Sequence, residues 1–157
     1  MKINKILIIL TCFLLLSCGF EPMYSEKKLN KSYNFTINNI GFSGNNYINQ
    51  YLKNSLLNYT NNKNKKIKYD LSINSTILKT ITTKNQKGDP ELFHIKIIIN
   101  VDVIENNKIK NKTILEEGFE YKNKSNKFQL NKYEKNIQKN LTNKLSKDLI
   151  DYLYHIK

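Results

Sequence analysis

The hydropathy pattern of this chain predicts an α+β domain: a two-layer sandwich in which a four-stranded, mostly antiparallel sheet carries two helices on one face, in the order β-α-β-β-β-α. Three observations lead there. Four stretches alternate apolar and polar residues with a period of two, the mark of a half-buried strand. Two stretches repeat apolar residues every three or four positions, the mark of a one-faced helix. A sheet with one apolar face needs a cover, and two such helices supply it.

The first strand is read from Tyr33, Phe35 and Ile37, which alternate with Asn34, Thr36 and Asn38. Gly41-Phe42-Ser43-Gly44 is expected to end it and open a turn. Asn45 or Asn46 is placed to cap a helix running to about Tyr59, with Ile48, Leu52, Leu56 and Tyr59 on one side, joined by Tyr47 and Tyr51. Asn61 to Lys66 is a charged loop. The second strand puts Tyr69, Leu71, Ile73, Ile77 and Ile81 on one side and Lys68, Asp70, Ser72, Asn74 and Thr76 on the other. A turn from Asn85 to Pro90 follows, holding Gly88-Asp89-Pro90. In the third strand Phe93, Ile95, Ile97, Ile99, Val101 and Val103 share a face opposite His94, Lys96, Asn100 and Asp102, with Ile98 the exception. After the turn Glu105-Asn106-Asn107-Lys108 the fourth strand covers roughly Ile109 to Tyr121. Ile109, Thr113, Leu115, Phe119 and Tyr121 are in register, and Gly118 marks a candidate bulge. A polar connection, Lys122 to Leu130, leads to a long helix from about Asn131 to Tyr154, striped by Tyr133, Ile137, Leu141, Leu145, Leu149, Leu153 and Ile156. Short turns make the last three strands an antiparallel meander. The first connection carries a helix, so the first two strands lie parallel if they are neighbours, through a right-handed crossover.

This single domain is expected over residues 33–157. What precedes it is of another kind. Lys2 and Lys5 lead into an apolar run, Ile6 to Leu16, which closes on Leu15-Leu16-Ser17-Cys18. A basic start, an apolar stretch and a small residue at the cut make an export signal. The run is too short to cross a bilayer, which takes roughly 20 apolar residues. A Cys directly after Leu-x-Ser is the pattern of a lipoprotein signal. Residues 1–17 are therefore expected to be cut away and Cys18 to carry lipid, which makes the protein bacterial, exported and held by acyl chains. One chain anchors only marginally, so several are expected on Cys18. The alternatives are an ordinary secretory signal whose cleavage zone contains a Cys and, behind it, a retained, uncleaved anchor. Residues 18–32, polar and Lys-rich from Ser25 on, read as the lipidated N-terminus and a tether.

Cleavage leaves 157 − 17 = 140 residues and a net charge of 13 − 2 = +11, because Lys2 and Lys5 depart and no acidic residue does. That is enough chain for one compact core. Every basic residue is Lys, and Lys, Asn and Ile are abundant throughout, as in an AT-rich genome, so the charge is weak evidence of a basic function. An exported protein rarely meets nucleic acid, and none is expected as a partner; the anionic partner within reach is a phosphorylated lipid or glycolipid. Cys12 leaves with the signal and Cys18 is acylated, so the domain has neither a disulfide nor a Cys-based metal site to lean on.

No constellation for catalysis is evident. His94 sits on the polar side of its strand and His155 in the last helical turn, where a cation suits the dipole. Asp89 before Pro90 is turn chemistry. Glu116-Glu117 reads as a solvated pair, and no glycine-rich phosphate loop occurs. The chain is expected to be no enzyme and to use no metal or cofactor.

After cleavage the chain begins Cys18-Gly19-Phe20-Glu21-Pro22-Met23-Tyr24. This start resembles the Cys-Gly-Phe-x-Pro-Leu-Tyr of the LptE family of LPS-assembly lipoproteins, as found in alphaproteobacteria, with Met23 where Leu is usual and Glu21 where a basic residue is commoner. The β-α-β-β-β-α order is also that family's, so the resemblance extends over most of the mature chain. It implies an outer-membrane lipoprotein, anchored on the periplasmic side, that sits as a plug inside an LptD-type β-barrel, helps to assemble it and assists lipopolysaccharide delivery to the surface. Gly19, in place of Asp, is compatible with sorting to the outer membrane. Lys108, Lys110 and Lys112 alternate onto one side of the fourth strand and are candidate contacts for lipid A phosphates; a solvated row is the plainer alternative. Two other roles stay open: a free periplasmic lipoprotein that binds a lipid or glycolipid itself, and an accessory subunit of another outer-membrane complex.

Overall fold

The computed structural model describes residues 33–156; the signal segment 1–17, Cys18 and the tether through residue 32 lie outside the described residues. The elements are β1 (Phe35–Gly44), α1 (Asn46–Leu56) running into a 3-10 turn (Leu57–Tyr59), β2 (Ile67–Lys84), β3 (Pro90–Glu105), β4 (Lys108–Lys122) and α2 (Lys127–His155). One sheet holds the strands in the order β1-β2-β3-β4. β1 lies parallel to β2, and the other pairs are antiparallel. This is the expected α+β sandwich.

The core lies between the sheet and the two helices. Phe35, Ile37, Tyr69, Leu71, Ile73 and the β3 row from Phe93 to Val103 meet Ile48, Leu52 and Leu56 of α1 and Ile137, Leu141, Leu145, Leu149 and Leu153 of α2, all buried. Period-two and period-3.6 apolar faces therefore close on each other. Nonpolar area removed from water in this way is the main stabilising term, about 25 cal/mol per Å².

β1 departs from expectation. It runs on through Gly41-Phe42-Ser43 to Gly44 instead of ending before them. Its pairing slips between Ile37 and Asn39, leaving Asn38 as an extra residue. The slip reverses the alternation, so Phe35 and Ile37 are buried before it while Ile40 and Phe42 are the partly buried residues after it. The turn comes at Gly44, whose φ of +88° favours glycine; a Cβ there would lie 2.1 Å from the Ser75 carbonyl oxygen. Asn45 then caps α1, its side chain accepting from the Ile48 N–H at 3.1 Å. Buried Ser75 ties the junction together: its hydroxyl donates to Asn49 Oδ1 at 2.7 Å and accepts from Asn45 N–H at 3.1 Å.

Three further expectations change. α2 begins at Lys127, earlier than Asn131, because Asn126 caps it by accepting from the N–H groups of Phe128 and Gln129 at 3.0 and 3.1 Å. Phe128 in that first turn is exposed, so the helix starts before its apolar stripe does. Gly118 marks no bulge: it pairs in register with Lys96, and its missing side chain leaves room for the His94 ring, which a Cβ would approach to 2.6 Å. The irregularity lies instead between Val103–Asn111 and Ile104–Ile109, where Lys110 is the extra residue. Ile109 is thereby carried out of register with Leu115 and Tyr121, opposite Ile104, and is 53% exposed. The β3–β4 turn has Asn106 and Asn107 at φ 51° and 60°, as a tight hairpin of the I′ kind needs.

Candidate functional site

The three candidate lysines of β4 do not form one row, because the extra residue at Lys110 separates them. Lys110 binds Glu105 at 2.7 Å and lies 5.7 Å from the ring centre of Tyr69, a core residue. Its pKa is raised, chiefly by the hydrogen bond to Glu105. Lys112 pairs with Asp102, 3.3 Å away, on the outer face. Lys108 is exposed beside the turn, opposite Glu105. Glu116 and Glu117 also separate: Glu116 takes Lys96 at 2.9 Å on the outer face, and Glu117 takes Lys144 of α2 at 2.7 Å. That partner raises the pKa of Lys144. His155 Nδ1 is 2.7 Å from the Asp151 carbonyl oxygen, and Asp89 N–H donates to Asn85 Oδ1 within the β2–β3 turn. Among the described residues no cluster of His, Cys, Asp and Glu is arranged to hold a metal ion.

The outer face of the sheet is polar, as its Ser, Thr, Asn and Lys positions predict, but it is not featureless. Register puts Leu78, Ile98 and Ile114 on diagonally adjacent positions of β2, β3 and β4. Leu78 is 47% and Ile114 66% exposed, and Ile98 is half-buried. Diagonal neighbours on one face are within reach of long side chains. Strand-by-strand alternation predicts the polar face but not this stripe, since it appears only once the register across three strands is known.

Beyond Ser75, β2 loses its partner on the β1 side. Among the described residues only β3 pairs with the stretch from Thr76 to Lys84. The inner face here is held by a polar network. The Glu134 carboxylate, buried on α2, accepts from Lys79 Nζ at 2.6 Å and from the Tyr121 hydroxyl at 2.7 Å. Lys79 Nζ also lies 4.3 Å from the Phe93 ring centre. Burial first, and then the bond to Glu134, push the Tyr121 phenol above its ordinary range. Sequence periodicity missed Glu134; the one sign of it was an acidic residue directly beside Tyr133 of the apolar stripe.

The opposite end of the sandwich gathers aromatic rings. Tyr33 meets Phe35, Tyr59 and Tyr154 edge to face, with centres 5.7, 5.6 and 5.5 Å apart. Burial and neighbouring Asp151 raise the phenol pKa of both Tyr33 and Tyr59. Thr36 Oγ1 donates to the Tyr59 carbonyl and accepts from Asn62 N–H at 3.0 Å, fixing the loop that follows. Asn38, Asn61, Asn62, Lys63 and Lys68 line a shallow depression beside it.

No family model matches the chain, and no curated protein matches it in sequence. Solved structures do match. The chain is similar to rare lipoprotein B from Shewanella oneidensis, with 10% identity, 74% of this chain and 93% of that one covered, and a TM-score of 0.58. A minor lipoprotein from Acinetobacter baumannii gives 15% identity, coverage of 74% and 88%, and a TM-score of 0.56. An uncharacterized lipoprotein B from Nitrosomonas europaea gives 12%, 78%, 86% and 0.53. At these identities the likeness is one of fold: the domain is built as these small bacterial lipoproteins are.

Proposed function

We propose that this chain is an outer-membrane lipoprotein of the LptE kind, acylated at Cys18 on the periplasmic side, which plugs an LptD-type β-barrel, helps to assemble it and so assists lipopolysaccharide transport to the surface. The observation that carries this reading is a lipoprotein-type signal ending at Cys18, joined to a domain with the fold of bacterial lipoproteins. The outer sheet face agrees with it. Its polar groups suit the hydrated lumen of an outer-membrane barrel, and the stripe of Leu78, Ile98 and Ile114 offers that wall a dry contact. The protein acts by binding and scaffolding, and its packed core serves to hold the surfaces rigid.

The test is a detergent extraction of membranes with a C-terminal tag on the chain, followed by identification of what co-purifies. A stoichiometric LptD-type barrel is the expected result. A monomer carrying only lipid overturns the plug reading and puts the free lipid-binding lipoprotein in its place.

A further inference from the structure

The two ends of the sandwich differ in what they are tied to. The chain enters the domain at Tyr33, and backbone bonds fix where that is: Ile67 N–H donates to the Asn34 carbonyl at 3.3 Å, and Asn61 N–H to the Ile37 carbonyl at 3.1 Å. The Lys65 ammonium donates to the Tyr33 carbonyl. The β3–β4 turn lies at this same end, since Asp70 pairs with Ile104 and Ile104 with Ile109. So does the last turn of α2, through the Tyr33–Tyr154 contact and a 3.4 Å bond from the Tyr69 hydroxyl to the Ile156 carbonyl.

Several loops therefore converge where the chain departs toward Cys18. They carry Lys63, Lys65, Lys66 and Lys108, and around them stand the apolar tips Leu57, Ile109 and Tyr154, each about half exposed. The nearby carboxylates are engaged: Glu105 by Lys110, Asp102 by Lys112, Asp70 by the Asn39 side chain and N–H, and Asp151 by the phenol of Tyr33. Among the described residues no ion pair engages Lys63, Lys65, Lys66 or Lys108.

We infer that this end is a membrane-docking face for anionic phospholipid headgroups, acting together with the acyl chains on Cys18. The inference rests on the lipid-anchor part of the proposed function and not on the barrel. Acyl chains and a basic patch are the two signals that together give stable attachment to a membrane. Length selects the end. Residues 18–32 number fifteen and span at most about 50 Å however they are arranged. β2 alone is 18 residues, roughly 60 Å. Tyr33 is the point at which those fifteen residues join the domain, so the lysines beside it can meet the membrane with any slack in the tether, while the far end, a strand's length further on, needs nearly all of that reach to do so end-on. Charge alone does not select, because the far end carries Lys84, Lys87, Lys122 and Lys124 and the exposed Phe128.

The experiment uses residues 18–157 with Cys18→Ser, so that no acyl chain contributes; the core lies wholly within the described domain. The protein is sedimented with vesicles of phosphatidylcholine alone or with about one-third phosphatidylglycerol. Binding is expected only to the anionic vesicles. The triple change Lys63→Gln, Lys66→Gln and Lys108→Gln is expected to weaken it about a hundredfold, roughly fivefold per lysine, with unchanged thermal unfolding because all three are exposed. The matching far-end change, Lys84→Gln, Lys87→Gln and Lys122→Gln, removes the same charge and is expected to leave binding within about threefold. Equal losses from the two triples overturn the inference, since net charge then explains the binding, and so does equal binding to neutral vesicles. No barrel is present, so these outcomes are independent of the co-purification test. Acylation of unaltered Cys18 is read separately, by incorporation of labelled fatty acid in cells.

Discussion

The two halves of β2 obey one alternation and are held in two different ways. In the first half, up to Ser75, Tyr69 and Ile73 are fully buried and Leu71 nearly so. In the second half Ile81, on the same side, is 47% exposed. The difference lies in the cover. α1 has 11 residues, roughly 16 Å of helix, against roughly 60 Å for β2, and β1 stops at Gly44. Over the second half only the N-terminal part of α2 remains, and it presents a partly buried Leu130 with Tyr133 and Glu134 in place of a row of buried leucines. Alternation decides which side of a strand points at the helices. It does not decide whether a helix is there, and where the cover thins an ion pair and a buried phenol replace the apolar core.

The sharpest way to break this comparison is to cut the same side chain in both halves. Ile73→Ala removes a fully buried group and is expected to cost about 4 kcal/mol, transfer plus cavity. Ile81→Ala is expected to cost less than about 1 kcal/mol, since much of that side chain is already in water. Urea unfolding of both variants reads the difference, and similar midpoints would mean that the second half is as well covered as the first. Next in size is Gly44→Ala, at the point where the halves part. With φ at +88° and a Cβ 2.1 Å from a backbone oxygen, the residue must move β1 away from Ser75 or adopt a strained conformation, at about 2–3 kcal/mol. The same unfolding experiment checks it, with amide exchange at Ser75 and Thr76 showing whether the loss starts there.

Tyr121→Phe tests the polar half directly. It removes the hydroxyl donated to the buried carboxylate of Glu134, and a hydrogen bond to a charged group is worth about 2 kcal/mol. The change also has a pH signature. Tyr121 is raised above its ordinary value of 10.0 by burial and by Glu134, so the folded state holds the phenolic proton more tightly than the unfolded one. Its contribution is complete below pH 10 and is lost as pH rises above it. Stability measured across the alkaline range should fall less steeply in Tyr121→Phe than in the parent. The slope will not vanish, because Tyr33, Tyr59 and Tyr69 are raised too. An unchanged slope would remove Tyr121 from the account.

Much of this fold is legible in the sequence, and the misses have physical causes. β3 was plain because both its neighbours are paired and its inner row is unbroken from Phe93 to Val103. Alternation alone ends β1 too early because an extra residue, Asn38, reverses it, so Ile40 and Phe42 do not fit the template set by Phe35 and Ile37. The lysines of β4 looked like one row for the same reason: counting by twos passes straight through the extra residue at Lys110. A glycine within a strand suggests backbone freedom, but what Gly118 provides is room for the ring of His94 on the next strand. Register errors and cross-strand needs are not written in any one strand. The stripe of Leu78, Ile98 and Ile114 was invisible on the same ground, as each looks like an isolated exception until three strands are aligned.

That stripe carries the smallest expected effect on stability. It crosses the sheet where β2 leaves its cover, on the face opposite the core. Ile114 is 66% exposed, has Asn100 opposite and shares its face with Glu116 two residues on. Ile114→Lys therefore deletes little packing and gains a nearby carboxylate, and its unfolding free energy is expected to stay within about 0.5 kcal/mol of the parent. Its effect on a barrel partner should be of another order, because a desolvated ammonium set into a dry contact costs several kcal/mol. Recovery of the barrel in the tagged extraction should collapse while the thermal midpoint holds. A fall in both would place Ile114 in the support of the overhanging half, and the outer face would then be structural where the comparison takes it to be free.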